Sequence, residues 1–278
     1  MKQSYMRARR REQTGLSYKH DLGQHFLYDE ALLRSLLEQI ELDKQTAVLE
    51  IGAGSGALTV CLADMAKSVT AVEVDEQVLP FLRTATERCG NVTIVPGDIR
   101  QLNLPALCAP LGDGFHVVGN IPYNITTPIL SLFVEGALPV ARMSLMVQKE
   151  VADRLLSEPG TPGWSLMSAR CRYRCEPRLI AVVPRERFTP PPHVDSAFIT
   201  MPFRKAPPAP VRDEKLLFRL MRAGFALRRK TLCNALRGAL PPSAGDPRAL
   251  LEKVGLPPDI RGEALRVEEW IALTNAIL

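Results

Sequence analysis

The sequence predicts an α/β fold: a doubly wound, mostly parallel sheet followed by a small C-terminal all-helical domain. Three observations predict it. Short apolar runs alternate with amphipathic stretches as far as Leu156, the pattern of a sheet covered by helices on both faces. A Gly-rich turn, Gly52-Ala53-Gly54-Ser55-Gly56, joins one apolar run to one amphipathic stretch. A Pro-rich, aperiodic segment at 204–212 (RKAPPAPVR) then precedes a tail with helical periodicity alone.

In chain order, residues 29–41 read as an amphipathic helix, with Leu32, Leu33, Leu36, Leu37 and Ile40 on one face and Asp29 as N-cap. Residues 46–51 form the first buried strand, and Leu58 begins the helix after the turn. Strands follow at 69–74, 91–95, 116–119 and 143–148, with helices at 75–88, 128–135 and 149–156 between or after them. Segments 171–183 and 197–203 read as a final antiparallel pair. The tail reads as helices at 214–227, 229–240, 247–254 and 267–277. The expected organisation is a basic extension at 1–22, a catalytic domain at 23–204 and a helical domain at 212–278.

A chain of 278 residues with 46% apolar content has enough material for a full core. Its net charge is +5, and residues 1–20 carry Lys2, Arg7, Arg9, Arg10, Arg11 and Lys19 against Glu12 alone. The charge is therefore concentrated in the head, and the remainder is close to neutral. This suits an acidic partner, although a solubilising tail has the same composition. No apolar run is long enough to span a bilayer, and none follows the basic head as a secretory signal requires. The head is short for a transit peptide. The six cysteines lack metal-site spacing: Cys171 and Cys175 are four apart, but no His pair accompanies them. Buried reduced thiols, a cytoplasmic location and no metal are expected.

The chemistry is concentrated at strand ends. Gly52, Gly54 and Gly56 let the chain turn tightly and let a ligand touch backbone. Gly52-x-Gly54-x-x-Ala57 also fits the dinucleotide fingerprint, so a nicotinamide or flavin enzyme is a rival reading. Glu73, ending the next strand, is placed to grip ribose hydroxyls in either case. Asp98, after Gly97, is placed to accept from an adenine exocyclic amine. With Asn120-Ile121-Pro122-Tyr123 at a further strand end, the set favours S-adenosylmethionine. The Asn120 amide oxygen accepts from a substrate amine, Pro122 fixes the backbone so that a neighbouring carbonyl accepts a second bond, and Tyr123 gives a face on which a base stacks.

With these motifs the chain resembles the ribosomal RNA adenine N6-dimethyltransferases of the kasugamycin-sensitivity (KsgA) type. The resemblance runs from Gly23-Gln24-His25-Phe26-Leu27 through Glu50–Thr59, Glu73-Val74-Asp75, Gly97-Asp98 and Gly119–Pro128. It continues in Gln148–Arg154, Phe188–Ala197, Arg228–Asn234 and Arg261-Gly262-Glu263. The Phe188 block separates this family from the antibiotic-resistance 23S rRNA methyltransferases. The resemblance implies a Rossmann-like methyltransferase sheet and a cofactor site of His25, Leu27, Gly52, Glu73, Asp98 and Asn120. His25 departs from the Asn common at that position in bacterial members. It also implies the substrate: two adjacent adenosines in a hairpin near the 3′ end of small-subunit rRNA, each methylated twice. A monomer when free is the expectation for the protein itself.

On that reading Tyr123 and Phe188 sandwich a flipped adenine, with no strong base, since the amine proton becomes acidic once the methyl has transferred. Arg7, Arg9, Arg10, Arg11, Arg222, Arg228, Arg229 and Lys230, with Arg219 and Arg237, are the expected phosphate-binding surface. Two alternatives stay open: a methyltransferase of 23S rRNA or DNA, and a non-enzymatic ribosome-assembly factor on the same fold.

Overall fold

The computed structural model describes residues 24–227 and 229–277. Its centre is a seven-stranded sheet in the order β4-β3-β2-β5-β6-β9-β7. The strands are β2 (Ala47–Ile51), β3 (Ser68–Glu73), β4 (Val92–Pro96), β5 (Phe115–Asn120), β6 (Val140–Gln148), β7 (Arg178–Val183) and β9 (Ser196–Pro202). Strands β2 to β6 pair in parallel, whereas β9 runs antiparallel between β6 and β7. A two-stranded ribbon of β1 (Phe26–Leu27) and β8 (Phe188–Thr189) lies apart from it.

Strand β2 shows why the chain builds a covered sheet. All five of its residues are buried, as a parallel strand with helices on both faces requires. Ala47, Leu49 and Ile51 join the core on one face, with Ile129 and Phe133 of α5 (Thr126–Val134). Val48 joins the core on the other, with Leu33, Leu36 and Leu37 of α1 (Glu30–Leu37) and Leu62 of α2 (Ala57–Met65). Asp29 caps α1, its side chain accepting from Leu32 N. Further helices are α3 (Leu79–Thr86), α4 (Leu104–Cys108) and α6 (Lys149–Leu156).

The segment 171–183 departs from the expected strand. It is split between helix α7 (Leu166–Arg174) and the shorter β7. A capping box starts α7: Ser165 Oγ accepts from Ser168 N, and Ser168 Oγ accepts from Ser165 N. Its apolar residues Ala169 and Tyr173 then face the tail rather than the sheet.

The tail holds α8 (Glu214–Ala226), α9 (Leu232–Leu236), α10 (Pro247–Lys253) and α11 (Val267–Ile277). The expected helix at 229–240 shrinks to the five residues of α9. Leu216, Leu217, Leu220, Leu236, Trp270 and Ile271 pack into one cluster that also takes in Trp164, Ala169 and Tyr173 from before the linker. Tyr173 Oη donates to Glu214 Oε1 at 2.7 Å and Arg174 Nη2 donates to Glu214 Oε2 at 2.6 Å. Glu135, just past α5, pairs with Arg170 of α7 and, at 3.8 Å, with Arg222 of α8.

Candidate active site

The strand order reverses between β3-β2 and β2-β5, and ligands of open α/β sheets bind where it does, beyond the carboxyl ends of the strands. One cavity lies there. It is lined from four successive strand ends: Gly52 to Gly54 after β2, Glu73 and Val74 at β3, Gly97 to Arg100 after β4, and Asn120 to Ile125 after β5. Gln24 to Tyr28 form a further wall.

The glycines do what the turn requires. Gly52, Gly54 and Gly56 have φ of 74°, 54° and 88°, a region costly to residues with a Cβ. A Cβ on Gly54 would also come within 2.8 Å of the Phe26 ring. Glu73 locks the turn: its Oε2 accepts from Gly54 N at 2.7 Å and its Oε1 from Asp75 N at 2.8 Å. Burial holds the Glu73 carboxyl above its ordinary pKa, against those two bonds. Asp98 is lowered instead, because the Arg100 guanidinium grips it.

Asn120 Nδ2 donates to the backbone oxygen of His25 at 2.8 Å. The amide orientation is thereby set, leaving Oδ1 as the acceptor. The His25 ring donates from Nδ1 to Pro190 O at 2.8 Å and stacks on Tyr123, with centroids 5.6 Å apart. Tyr123 Oη meets Ser196 Oγ at 2.5 Å, which fixes the ring. Pro122 O accepts from Ile125 N at 3.2 Å.

The structure thus brings together His25, Leu27, Gly52, Gly54, Glu73, Asp98, Asn120, Ile121, Pro122 and Tyr123 around one cavity. Gly56 lies just behind, as N-cap of α2, where a Cβ would meet Ala85 and Leu82. Phe188 is placed differently. It is 2% exposed, pairs with Leu27 across the ribbon, and belongs to the core with Leu27 and Leu33 rather than to the lining of the cavity. The aromatic ring against Tyr123 is His25. Arg222, Arg229 and Lys230 are exposed in the tail, whereas Arg7, Arg9, Arg10, Arg11 and Arg228 lie outside the described residues.

Sequence reasoning passed over Val74 and Arg100. Val74 is 48% exposed and lines the cavity; an apolar side chain directly after the strand-end Glu73 was its only signal. Arg100 was visible as a cation two residues beyond Asp98. Glu50 received no role of its own. It is fully buried, neither oxygen has a partner in hydrogen-bonding geometry, and burial pushes its carboxyl up to about 8, opposed by the nearby Thr59 hydroxyl and aided by Glu73.

Among the described residues no helix is long and apolar enough to cross a membrane, and no group of His, Cys, Asp or Glu is placed to hold a metal ion. The fold is shared with solved structures. A dimethyladenosine transferase from Plasmodium falciparum superposes with a TM-score of 0.76 over 90% of this chain and 96% of its own, at 23% identity. The 23S rRNA methyltransferase ErmE gives 0.69 over 91% and 99%, at 26% identity. Sequence relatives are closer. The ribosomal RNA small subunit methyltransferase A of Geobacillus sp. (strain WCH70) is 40% identical over 96% of this chain and 94% of that protein, and that of Streptococcus sanguinis (strain SK36) is 39% identical over the same shares. The family model described as ribosomal RNA adenine dimethylase matches residues 15–277, and the chain belongs to that family.

Proposed function

We propose that this protein transfers methyl groups from S-adenosyl-L-methionine to N6 of two adjacent adenosines near the 3′ end of small-subunit rRNA, twice on each. The carrying observation is the orientation of Asn120, a residue lining the cavity, whose amide nitrogen is committed to His25 O, leaving its oxygen as the acceptor.

The lining fits the donor. Glu73 keeps acceptor capacity for ribose hydroxyls beside its two backbone bonds. Val74 offers an apolar surface for the adenine face, and Asp98 an acceptor for its amine. When bound, the sulfonium supplies an electrophilic methyl group, so the protein's task is chiefly alignment. The acceptor amine's lone pair is delocalised into its ring. Asn120 Oδ1 and a backbone carbonyl would hold its two hydrogens and turn the lone pair toward the methyl. Pro122 O already serves Ile125 N, so the carbonyl of Ile121 is the better second acceptor. Tyr123, held by Ser196 and backed by His25, supplies the stacking face.

The test is tritiated methyl transfer to small-subunit particles, naked rRNA and large subunits, with mass spectrometry to map mono- and dimethyladenosine. Asn120→Ala should retain the fold and lose turnover by on the order of 10²-fold or more, since misalignment of about 1 Å costs that much. Near-normal dimethylation by this variant sinks the mechanism. Methylation of large subunits alone would favour the activity named for ErmE.

A further inference from the structure

Arg100 lines the same cavity as Asp98 and engages nearly all of its carboxylate. Asp98 Oδ1 accepts from Arg100 N at 2.9 Å and Arg100 Nε at 3.0 Å; Oδ2 accepts from Nη2 at 2.6 Å and, more distantly, from Nε at 3.1 Å. The loop beneath is fixed by backbone bonds from Gly97 N to Glu73 O and from Gln101 N and Leu102 N to Asp98 O. Arg100 is 45% exposed at its side chain, so it carries no core packing that would explain this geometry, whereas Asp98 is 14% exposed.

A carboxylate has about four acceptor directions. The backbone amide and the guanidinium fork occupy both directions of Oδ1 and one of Oδ2. One acceptor direction on Oδ2 therefore remains. We propose that Arg100 is a positioning residue that turns Asp98 and leaves it one acceptor direction toward the ligand, so that the donor site selects a 6-amino purine over a 6-oxo purine. The proposal rests on the reading above that Asp98 meets the adenine of the methyl donor. An amine at C6 donates to the remaining direction on Oδ2. A carbonyl oxygen there meets a second acceptor and is repelled. A protonated carboxyl would tolerate both, because its hydroxyl donates. The fork opposes that protonation: Arg100 holds Asp98 below its ordinary pKa. Glu73, the other acid lining the cavity, bonds to Gly54 N and Asp75 N and leaves Asp98 to Arg100 alone.

Calorimetric binding of S-adenosylhomocysteine and S-inosylhomocysteine near neutral pH tests this, on the wild type, Arg100→Gln, Arg100→Lys and Asp98→Ala. The wild type should bind the adenosyl compound and reject the inosyl one. Arg100→Gln should bind the adenosyl compound about tenfold more weakly and discriminate less. Arg100→Lys keeps the charge without the fork, and should restore only part of the discrimination. Thermal unfolding of each variant reports whether the fold is retained. Equal or tighter adenosyl binding by Arg100→Gln overturns the proposal, because Arg100 would then compete with the amine. A loss identical for both compounds overturns it too. Failure of the wild type to bind S-adenosylhomocysteine, or unchanged binding by Asp98→Ala, overturns the donor reading and this proposal together.

Discussion

Asn120 and Glu50 show two opposite uses of a polar side chain at the carboxyl edge of a sheet. Asn120 has its amide committed on one side and open on the other. Glu50 is sealed, with no partner in hydrogen-bonding geometry for either oxygen. Its pKa near 8 in the fold against an ordinary 4.5 means that the native state holds a proton which the unfolded chain has already released. Stability then falls as pH rises from about 4.5 to 8, because the native state binds more protons across that window. Glu50→Gln should flatten the decline of Tm between pH 5.5 and 8.5, measured by calorimetry without ligand; a slope equal to that of the wild type would contradict it. Most of the site was legible at this scale. Gly52, Glu73, Asp98 and Asn120 each follow an apolar run, so sequence alone places them at strand ends. Phe188 was not legible as a core residue, because its burial depends on pairing with Leu27, far away in the chain. Nor was the capture of Asp98 by Arg100, since a cation two residues away can equally face water.

The elements were readable where their periodicity was long and their packing local. Helices α6 and α11 have the expected bounds. The error at 171–183 came from Cys171, Tyr173 and Cys175, which alternate as a strand would, but Cys171 and Tyr173 lie in a helix that packs Cys171 against the sheet core and Tyr173 against the tail. Alternation over a few residues does not separate the two without knowledge of the partner. Gly224 gives the sharpest prediction here. It lies inside α8, where Ala is intrinsically favoured by about 1 kcal/mol. A Cβ there would come within 2.4 Å of the Trp270 ring, which is fully buried and unable to retreat. Overpacking of about 1–3 kcal/mol outweighs the propensity gain, so Gly224→Ala should lower Tm. A rise would show that α8 and α11 can slide apart.

At the scale of the molecule, the linker at 204–212 divides the sequence more cleanly than it divides the packing. Trp164 and Tyr173 precede it but are buried with Leu217 and Trp270, and Glu214 is held by both Tyr173 and Arg174. A chain ending at Arg204 should therefore expose apolar surface, bind a hydrophobic dye and lose cooperative unfolding, while the full chain unfolds in one transition by calorimetry. Two separate transitions in the full chain would instead show two units that unfold independently on either side of the linker. The exposed Arg229 and Lys230 make a further case. Neutralising both should reduce the salt dependence of rRNA binding by about 0.7–0.9 for each phosphate they neutralise in the wild type, with S-adenosylhomocysteine affinity unchanged; an unaltered slope assigns them to a solvated face. The ribbon of β1 and β8 carries a consequence of another kind. His25, which lines the cavity, is held by Pro190, 165 residues away in the chain. A ribosome making this protein must extend the chain past Pro190 before that wall can be held. Nascent copies are therefore without a finished site, and an enzyme that modifies ribosomal RNA begins to work only after leaving most of its own synthesis behind.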